Sequence, residues 1–222
     1  MSYYTVNNTA KRRKLAKKQT EQQALVVARS VGENVIGVDE VGRGAWAGPL
    51  LVCAARLKPG KQHVSGLTDS KKLTKNQREQ LYPQIVLSYD IGEAWVAADV
   101  IDRMGLSGAM KTACTLAVTK IDAGSDEQII LDGTTNFFDN TMYTRVETMT
   151  KADSSVPEVS AAAIAAKVMR DALMADYEDD YPGFGFAKHV GYGTAQHKKE
   201  LETNGITLIH RKSFKPIKDL GW

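Results

Sequence analysis

Short, nearly continuous apolar runs alternate along this chain with longer segments of helical spacing, and together they lay out an α/β domain. Residues 35–39 and 50–57 are runs of the kind found in strands buried on both faces. Only a glycine-rich turn separates them, so they are expected to pair antiparallel. A third strand is expected over 90–98, carrying Ile91, Ala94, Trp95 and Val96, and two more over 128–131 and 141–149. A polar helix is expected over 74–86, interrupted or ended near Pro83, because proline removes a helical donor. Met110, Ala113, Cys114, Ala117 and Ile121 give a helix over 106–121 that Gly124 stops. The strongest helical pattern covers 157–177, with Pro157 suited to the first turn and Glu158 to the positive helix end. Its stripe of Val159, Ala162, Ala166, Met169, Leu173 and Tyr177 is expected to pack on the sheet. Lys167, Arg170 and Asp171 lie off the stripe, and Lys167 and Arg170 read as salt-bridged surface groups. Residues 21–31 carry a helical stripe of Ala24, Leu25, Val27 and Ala28, and Thr194 opens a short helix through Leu201, before a basic tail. The order implies a mixed five-stranded sheet flanked by helices, with a C-terminal helical segment.

With 43% of its 222 residues hydrophobic and no dividing linker, the chain is expected to form one domain over 21–222. Charge sets residues 1–20 apart as a basic, flexible arm. The net charge of +3 comes from 29 basic and 26 acidic residues, but Lys11, Arg12, Arg13, Lys14, Lys17 and Lys18 all fall in that arm, which has no acid. Removing those six leaves 23 basic against 26 acidic residues, a net of −3 for the body. The arm either contacts phosphates with release of counterions or is a solvated leader. Cys53 and Cys114 lack CxxC spacing, which argues against a disulfide framework or thiolate zinc site and fits a reducing cytoplasm. His63, His189, His197 and His210 offer no compact zinc spacing either. No apolar stretch approaches the roughly 20 residues that cross a bilayer, so a soluble, cytoplasmic protein without a membrane partner is expected.

The candidate chemistry lies where strands end. Asp39, Glu40, Asp132 and Asp153 each sit at or just after an expected strand end, and a sheet whose ends meet at one edge gathers them despite their separation in sequence. Two like charges about 4 Å apart repel by roughly 4 kcal/mol at an effective dielectric near 20, against a domain stability of only about 5 to 15 kcal/mol. Protons or divalent metal must relieve such a cluster. Oxygen-only ligands favour Mg²⁺, with Mn²⁺ as its substitute, and two such ions suit phosphodiester hydrolysis without a protein nucleophile. Neighbouring strand residues face opposite sides, so Asp39 and Glu40 are expected to share a site through a backbone turn at Glu40. Asp39 is the expected bridging ligand.

The run Val35 to Pro49, VIGVDEVGRGAWAGP, resembles the opening active-site signature of ribonuclease HII. Further matches follow in order: Asp69-Ser70-Lys71-Lys72-Leu73, Asp132-Gly133, Lys151-Ala152-Asp153, Ile164 to Asp171, Gly191-Tyr192-Gly193-Thr194 with His197, and His210-Arg211. The family usually has Gly where Ala152 stands, and commonly Pro and a small or aliphatic residue at Ala45 and Trp46. The resemblance implies a ribonuclease H-like fold, catalysis by the four acids, and a Gly42-Arg43-Gly44 grip on the ribose 2′-OH and flanking phosphate. Tyr192 is similar to the family's sugar-sensing aromatic. Lys71 and Lys72 are candidates for phosphate contact, or simply a solvated face, and Arg211 a tail anchor. The implied activity is that of a monomeric endoribonuclease acting on RNA–DNA hybrids and on the 5′ side of ribonucleotides embedded in duplex DNA. It would leave 3′-hydroxyl and 5′-phosphate ends and serve ribonucleotide removal in DNA repair and replication. The presence of all four acids argues against a catalytically silent hybrid-binding protein.

Overall fold

Val35, Ile36 and Val38 are buried because they occupy the central strand of the sheet, β1 (Val35–Val41). The structure, a computed structural model, describes residues 34–139, 141–219 and 221, so the arm 1–20 and the expected helix 21–31 lie outside the described residues. β1 pairs antiparallel with β2 (Leu50–Leu57), and β2 pairs antiparallel with β3 (Tyr89–Val96). On its other side β1 pairs parallel with β4 (Gln128–Asp132), which pairs parallel with β5 (Val146–Met149). The expected mixed five-stranded sheet is thus present, in the order β3-β2-β1-β4-β5.

Side chains alternate between the two faces, and a long helix covers each. Ile36, Val38, Val52 and Ala54 pack against Met110, Ala113 and Ala117 of α2 (Ala98–Thr119). Val41, Leu51, Cys53 and Ala55 pack against Ala161, Ala162 and Ile164 of α3 (Pro157–Asp180). α1 (Lys75–Ser88) joins that second layer through Ile85 and begins with a reciprocal capping box between Thr74 and Gln77. Three short helices follow: α4 (Phe186–His189), α5 (Ala195–Asn204) and α6 (Lys215–Lys218). Cys53 and Cys114 are both free and buried, and among the described residues no helix is long and apolar enough to cross a membrane.

Several bounds differ from expectation. α1 runs through Pro83 and ends at Ser88, because fully buried Ile85 holds the turn beyond the missing donor. α2 begins at Ala98, with a break at Gly105 (φ 75°, ψ 159°), so the periodic segment 106–121 marked only its second half. β5 starts at Val146 because residues 141–144 turn instead, with Thr141 Oγ1 donating to the Phe138 carbonyl and Tyr143 meeting Phe138 edge-on at 5.7 Å.

Gly37 sets how closely α3 approaches the sheet. A Cβ there would lie 2.1 Å from the Val159 nitrogen and 2.2 Å from the Glu158 carbonyl carbon, both backbone atoms that cannot swing aside. Gly37→Ala must therefore push the start of α3 off β1, at an expected cost of at least about 2 kcal/mol. Chemical denaturation checks this, and an unchanged midpoint would contradict the close packing.

Candidate active site

The parallel register between β1 and β4 ends with Val38 opposite Leu131, so Asp39 and Asp132 stand side by side just beyond that ladder. β4 and β5 end together at Asp132 and Met149, and the chain beyond β5 turns back through a 3₁₀ turn, Ala152–Ser154, that presents Asp153. Asp39, Asp132 and Asp153 each offer a carboxylate oxygen within 4.8 Å of the others. Backbone donors orient two of them. The Glu40 N–H donates to Asp39 Oδ1 at 2.8 Å and the Ala152 N–H to Asp132 Oδ1 at 2.8 Å.

Glu40 departs from expectation. The strand does not turn at Glu40: pairing with β2 continues through Glu40 opposite Val52 and Val41 opposite Leu51, and the turn begins at Gly42. Glu40 therefore lies on the α2 face and Asp39 on the α3 face. Its carboxylate falls outside the three-acid group and accepts from Arg43 Nη1 at 3.3 Å. The acids still influence one another across the sheet end. Burial, and then the charges of Glu40 and Asp132, raise the Asp39 carboxyl well above the usual range. Burial raises Glu40 as well, against the opposing pull of Arg43. Asp153 is pushed up to about 6 by burial first, then by the charges of Asp132 and Asp69 and a hydrogen bond with Asp69.

Facing the acids is the turn 42–49, which lacks regular structure and whose carbonyls are capped by two buried arginines. Arg211 donates from Nη2 to the Gly42 and Gly48 carbonyls at 2.7 and 2.9 Å, and from Nη1 to the Arg43 carbonyl at 3.0 Å. Arg170 donates from Nε to the Pro49 carbonyl at 2.8 Å, from Nη2 to Ala47 at 3.1 Å and from Nη1 to Val190 at 2.9 Å. Arg170 is thus wholly buried rather than a surface ion pair, and Arg211 anchors the active-site turn rather than only the tail. Burial and the Arg170 charge pull Arg211 down to about 9, which leaves it charged at neutral pH. Lys167 does pair with Asp171, at 2.7 Å.

The arginines leave the turn's outer edge free. Arg43 and Gly44 are exposed, with Arg43 over the Phe137 ring at 5.5 Å and nothing within 4 Å of where a Gly44 Cβ would stand. Gly42 has φ +80°, and a Cβ there would meet Arg170 Nε at 2.2 Å, so only glycine fits. From 150 residues away, Tyr192 brings its hydroxyl to accept the Gly42 N–H at 3.1 Å. Lys71 and Lys72 are exposed at the rim, Lys72 Nζ reaching Ser154 Oγ at 3.3 Å beside Asp153.

The ribonuclease HII family model matches residues 36–217, spanning all of these elements. The chain belongs to the ribonuclease HII family. A ribonuclease HII from Bacillus cytotoxicus is 38% identical over 96% of this chain and 84% of its own length. One from Leuconostoc mesenteroides is 41% identical over 84% of this chain and 72% of its own. Among solved structures, the ribonuclease H2 of Pyrococcus horikoshii superposes with a TM-score of 0.68 at 25% identity, covering 84% of this chain and 96% of that one. Members of the ribonuclease HII family are metal-dependent endoribonucleases, hydrolases of phosphodiester bonds that act on RNA–DNA hybrids. Three converging carboxylates offering only oxygen, with Asp39 and Asp153 raised in pKa by burial and then by neighbouring charge, fit a hard divalent ion.

The departures from the ribonuclease HII pattern are absorbed locally. Ala152 contributes its backbone N–H to Asp132, and the left-handed residue of that segment is Lys151 (φ 62°). Ala45 is fully buried, and Trp46 donates its N–H to the Gly191 carbonyl at 2.8 Å while its own carbonyl accepts from the Arg211 N–H at 2.8 Å. Sequence reasoning placed Asp69 in a family motif but not at the acids, and read neither Arg170 nor Arg211 as support for the turn. Both arginines fall off every apolar stripe, and only their burial reveals the role.

Acids whose folded pKa is raised bind more protons folded than unfolded, so their contribution is full below the unfolded value and is lost as pH rises through the folded one. Besides Asp39 and Asp153 this holds for buried Glu158, pushed up to about 7, whose Oε2 lacks a hydrogen-bond partner. Buried His197 and His210, held at about 4, act in the opposite sense up to about pH 6.5, where unfolded histidines lose their protons. From about pH 7 to about pH 8, above the unfolded histidines and below Arg211, the raised acids dominate, so the metal-free protein is expected to melt at progressively lower temperature. Mg²⁺ is expected to raise the melting temperature more at the upper end, where fewer protons compete for Asp39 and Asp153. Calorimetry with EDTA or Mg²⁺ checks both trends, and a metal-free melting temperature that climbs over this range would contradict them.

Proposed function

We propose that this protein cuts duplex DNA on the 5′ side of an embedded ribonucleotide, as well as the RNA strand of hybrids, leaving 3′-hydroxyl and 5′-phosphate ends. It acts as a monomeric, single-domain catalyst over residues 21–222, with the basic arm 1–20 tuning salt-dependent affinity, and serves ribonucleotide removal during DNA repair and replication in the cytoplasm. The observation that carries this reading is the placement of Tyr192 and the Gly42–Gly44 turn against each other beside the three converged aspartates.

Each side chain has a task in this reading. Asp39, Asp132 and Asp153 would hold two Mg²⁺ or Mn²⁺ ions, Asp39 in the shared-ligand role, and Glu40 would complete the set from the opposite face of the sheet. The ions supply Lewis-acid activation of water and charge neutralisation at the scissile phosphate. Gly44 leaves room for close backbone approach to a 2′-OH, the group that separates RNA from DNA. Arg43, half-exposed and paired among the described residues with Glu40 and the Phe137 face, forks onto the neighbouring phosphate. Lys71 and Lys72 extend the positive rim along the strand, and Tyr192 meets the adjacent sugar.

Asp132→Asn keeps the size of the side chain and its acceptor for the Ala152 N–H while removing a charge between Asp39 and Asp153. Cleavage of a duplex with one embedded ribonucleotide in Mg²⁺ is expected to fall by about a thousandfold or more, with substrate binding within a few-fold of wild type. Gel assays with and without Mg²⁺, beside a binding titration, read both quantities. Wild-type turnover in this variant would sink the site assignment, and failure of the parent protein to cut that duplex would sink the substrate assignment.

A further inference from the structure

Three of the four histidines form a buried group behind Tyr192. His197 is fully enclosed, stacked on the His189 ring (centroids 4.3 Å apart, 13° between planes) and flanked by Trp46 at 5.5 Å and Phe186 at 5.8 Å. His210 Nε2 lies 3.0 Å from His197 Nε2. Only one of those two nitrogens can carry the shared proton, and the contacts at the far side of each ring decide which.

The His210 Nδ1 receives the Thr207 N–H at 2.8 Å, so it is bare and the proton sits on Nε2. The His197 Nδ1 faces the Tyr192 carbonyl at 3.1 Å, an acceptor, so Nδ1 carries the proton and Nε2 is bare. Donation therefore runs one way, from the Thr207 N–H through His210 and His197 to the Tyr192 carbonyl. His189 completes the frame: its Nδ1 accepts the Gly191 N–H at 3.1 Å, and its Nε2 faces the Phe184 carbonyl at 2.6 Å and Glu200 Oε2 at 2.9 Å. Burial first, then neighbouring histidine charge, holds His197 and His210 at about 4, so this direction persists at neutral pH.

From these contacts we infer that His197, driven by His210 and stacked on His189, is a positioning residue for Tyr192, fixing the backbone behind the ring that reads the substrate sugar. The inference rests on the proposed role of Tyr192. Gly191 is also held by the Trp46 and Ala47 N–H groups on its carbonyl, at 2.8 and 3.2 Å, and Tyr192 by its N–H on the His189 carbonyl at 2.9 Å, while the Tyr192 side chain meets the Gly42 N–H at its hydroxyl and the Arg170 guanidinium over its ring at 5.6 Å; the His197 donor adds the tie to the Tyr192 carbonyl between two glycines. A ring held from both sides selects one register on the strand. At a single embedded ribonucleotide only one register is productive, whereas a long hybrid offers a ribose at every step, so loss of positioning falls on the first substrate.

Asparagine sets its amide near the place of an imidazole Nδ1, and glutamine near that of Nε2. His197→Asn therefore keeps the donor to the Tyr192 carbonyl, while His197→Gln keeps the link to His210 and loses that donor. For His197→Gln the ratio of kcat/KM on the embedded ribonucleotide to that on a long hybrid is expected to drop about tenfold, and for His197→Asn to stay within about twofold of wild type. Equal ratios in the two variants, or an unmoved ratio in His197→Gln, would overturn the inference. Nitrogen-15 NMR of the histidine-labelled wild-type protein supplies a second test that needs no variant to fold: His197 is expected as the Nδ1–H tautomer and His210 as Nε2–H. The reverse assignment overturns the positioning role. A wild-type protein that leaves the embedded ribonucleotide uncut overturns the substrate assignment instead, and the tautomers then still decide whether the network exists.

Discussion

The parallel pairing of β1 with β4 is the constraint on which the acid cluster depends. Val38 opposite Leu131 delivers Asp39 and Asp132 together at the sheet end, and Asp132 opposite Met149 brings the return toward Asp153. A slip of one residue would send Asp39 to the α2 face and dissolve the cluster. Register is held by core packing on both faces and by the fit of α3 over Gly37, neither of which involves the acids. Apolar burial thus holds in place charges that repel one another, and the raised pKa values of Asp39 and Asp153 record that opposition.

The recognition side is built on a different principle. The turn 42–49 has no ladder of its own, and Arg170 and Arg211 provide its carbonyl partners. Desolvating two guanidiniums is costly, and removal of either would strand several buried carbonyls. What the arrangement gains is a turn with one conformation, its outer edge open at Gly44 and its inner edge tied to Tyr192.

Most of the scaffold was legible because strands and helices write their burial into local spacing. The bounds of β2 and the start of α3 at Pro157 match expectation. Pro83 misled because a single lost donor is a local signal, whereas the burial of Ile85 that offsets it is tertiary. Glu40 misled for a related reason: period-2 alternation was recognised, but the strand's continuation to Val41 was not visible in a glycine-rich stretch. The convergence of Asp39, Asp132 and Asp153 was foreseeable from strand ends alone. The arginine clamps were not, since those side chains reach carbonyls over a hundred residues away, nor was the histidine frame, whose short-range contacts depend on how two helices and the loop after them fold together; neither leaves a periodic trace.

That reach orders events in time. β1 is made before the other described strands, and the acids Asp39 and Glu40 emerge with the turn that follows them. The groups that shape this turn come 121 to 169 residues later, with Arg170 in the long second-layer helix and Arg211 between α5 and α6. A chain that has not yet reached Arg211 therefore lacks one of the two clamps that shape this turn, even where its negative charges are already gathered. The charge cluster and the turn beside it are thus completed at different stages, the turn only once Arg211 has folded back onto the Gly42 and Arg43 carbonyls.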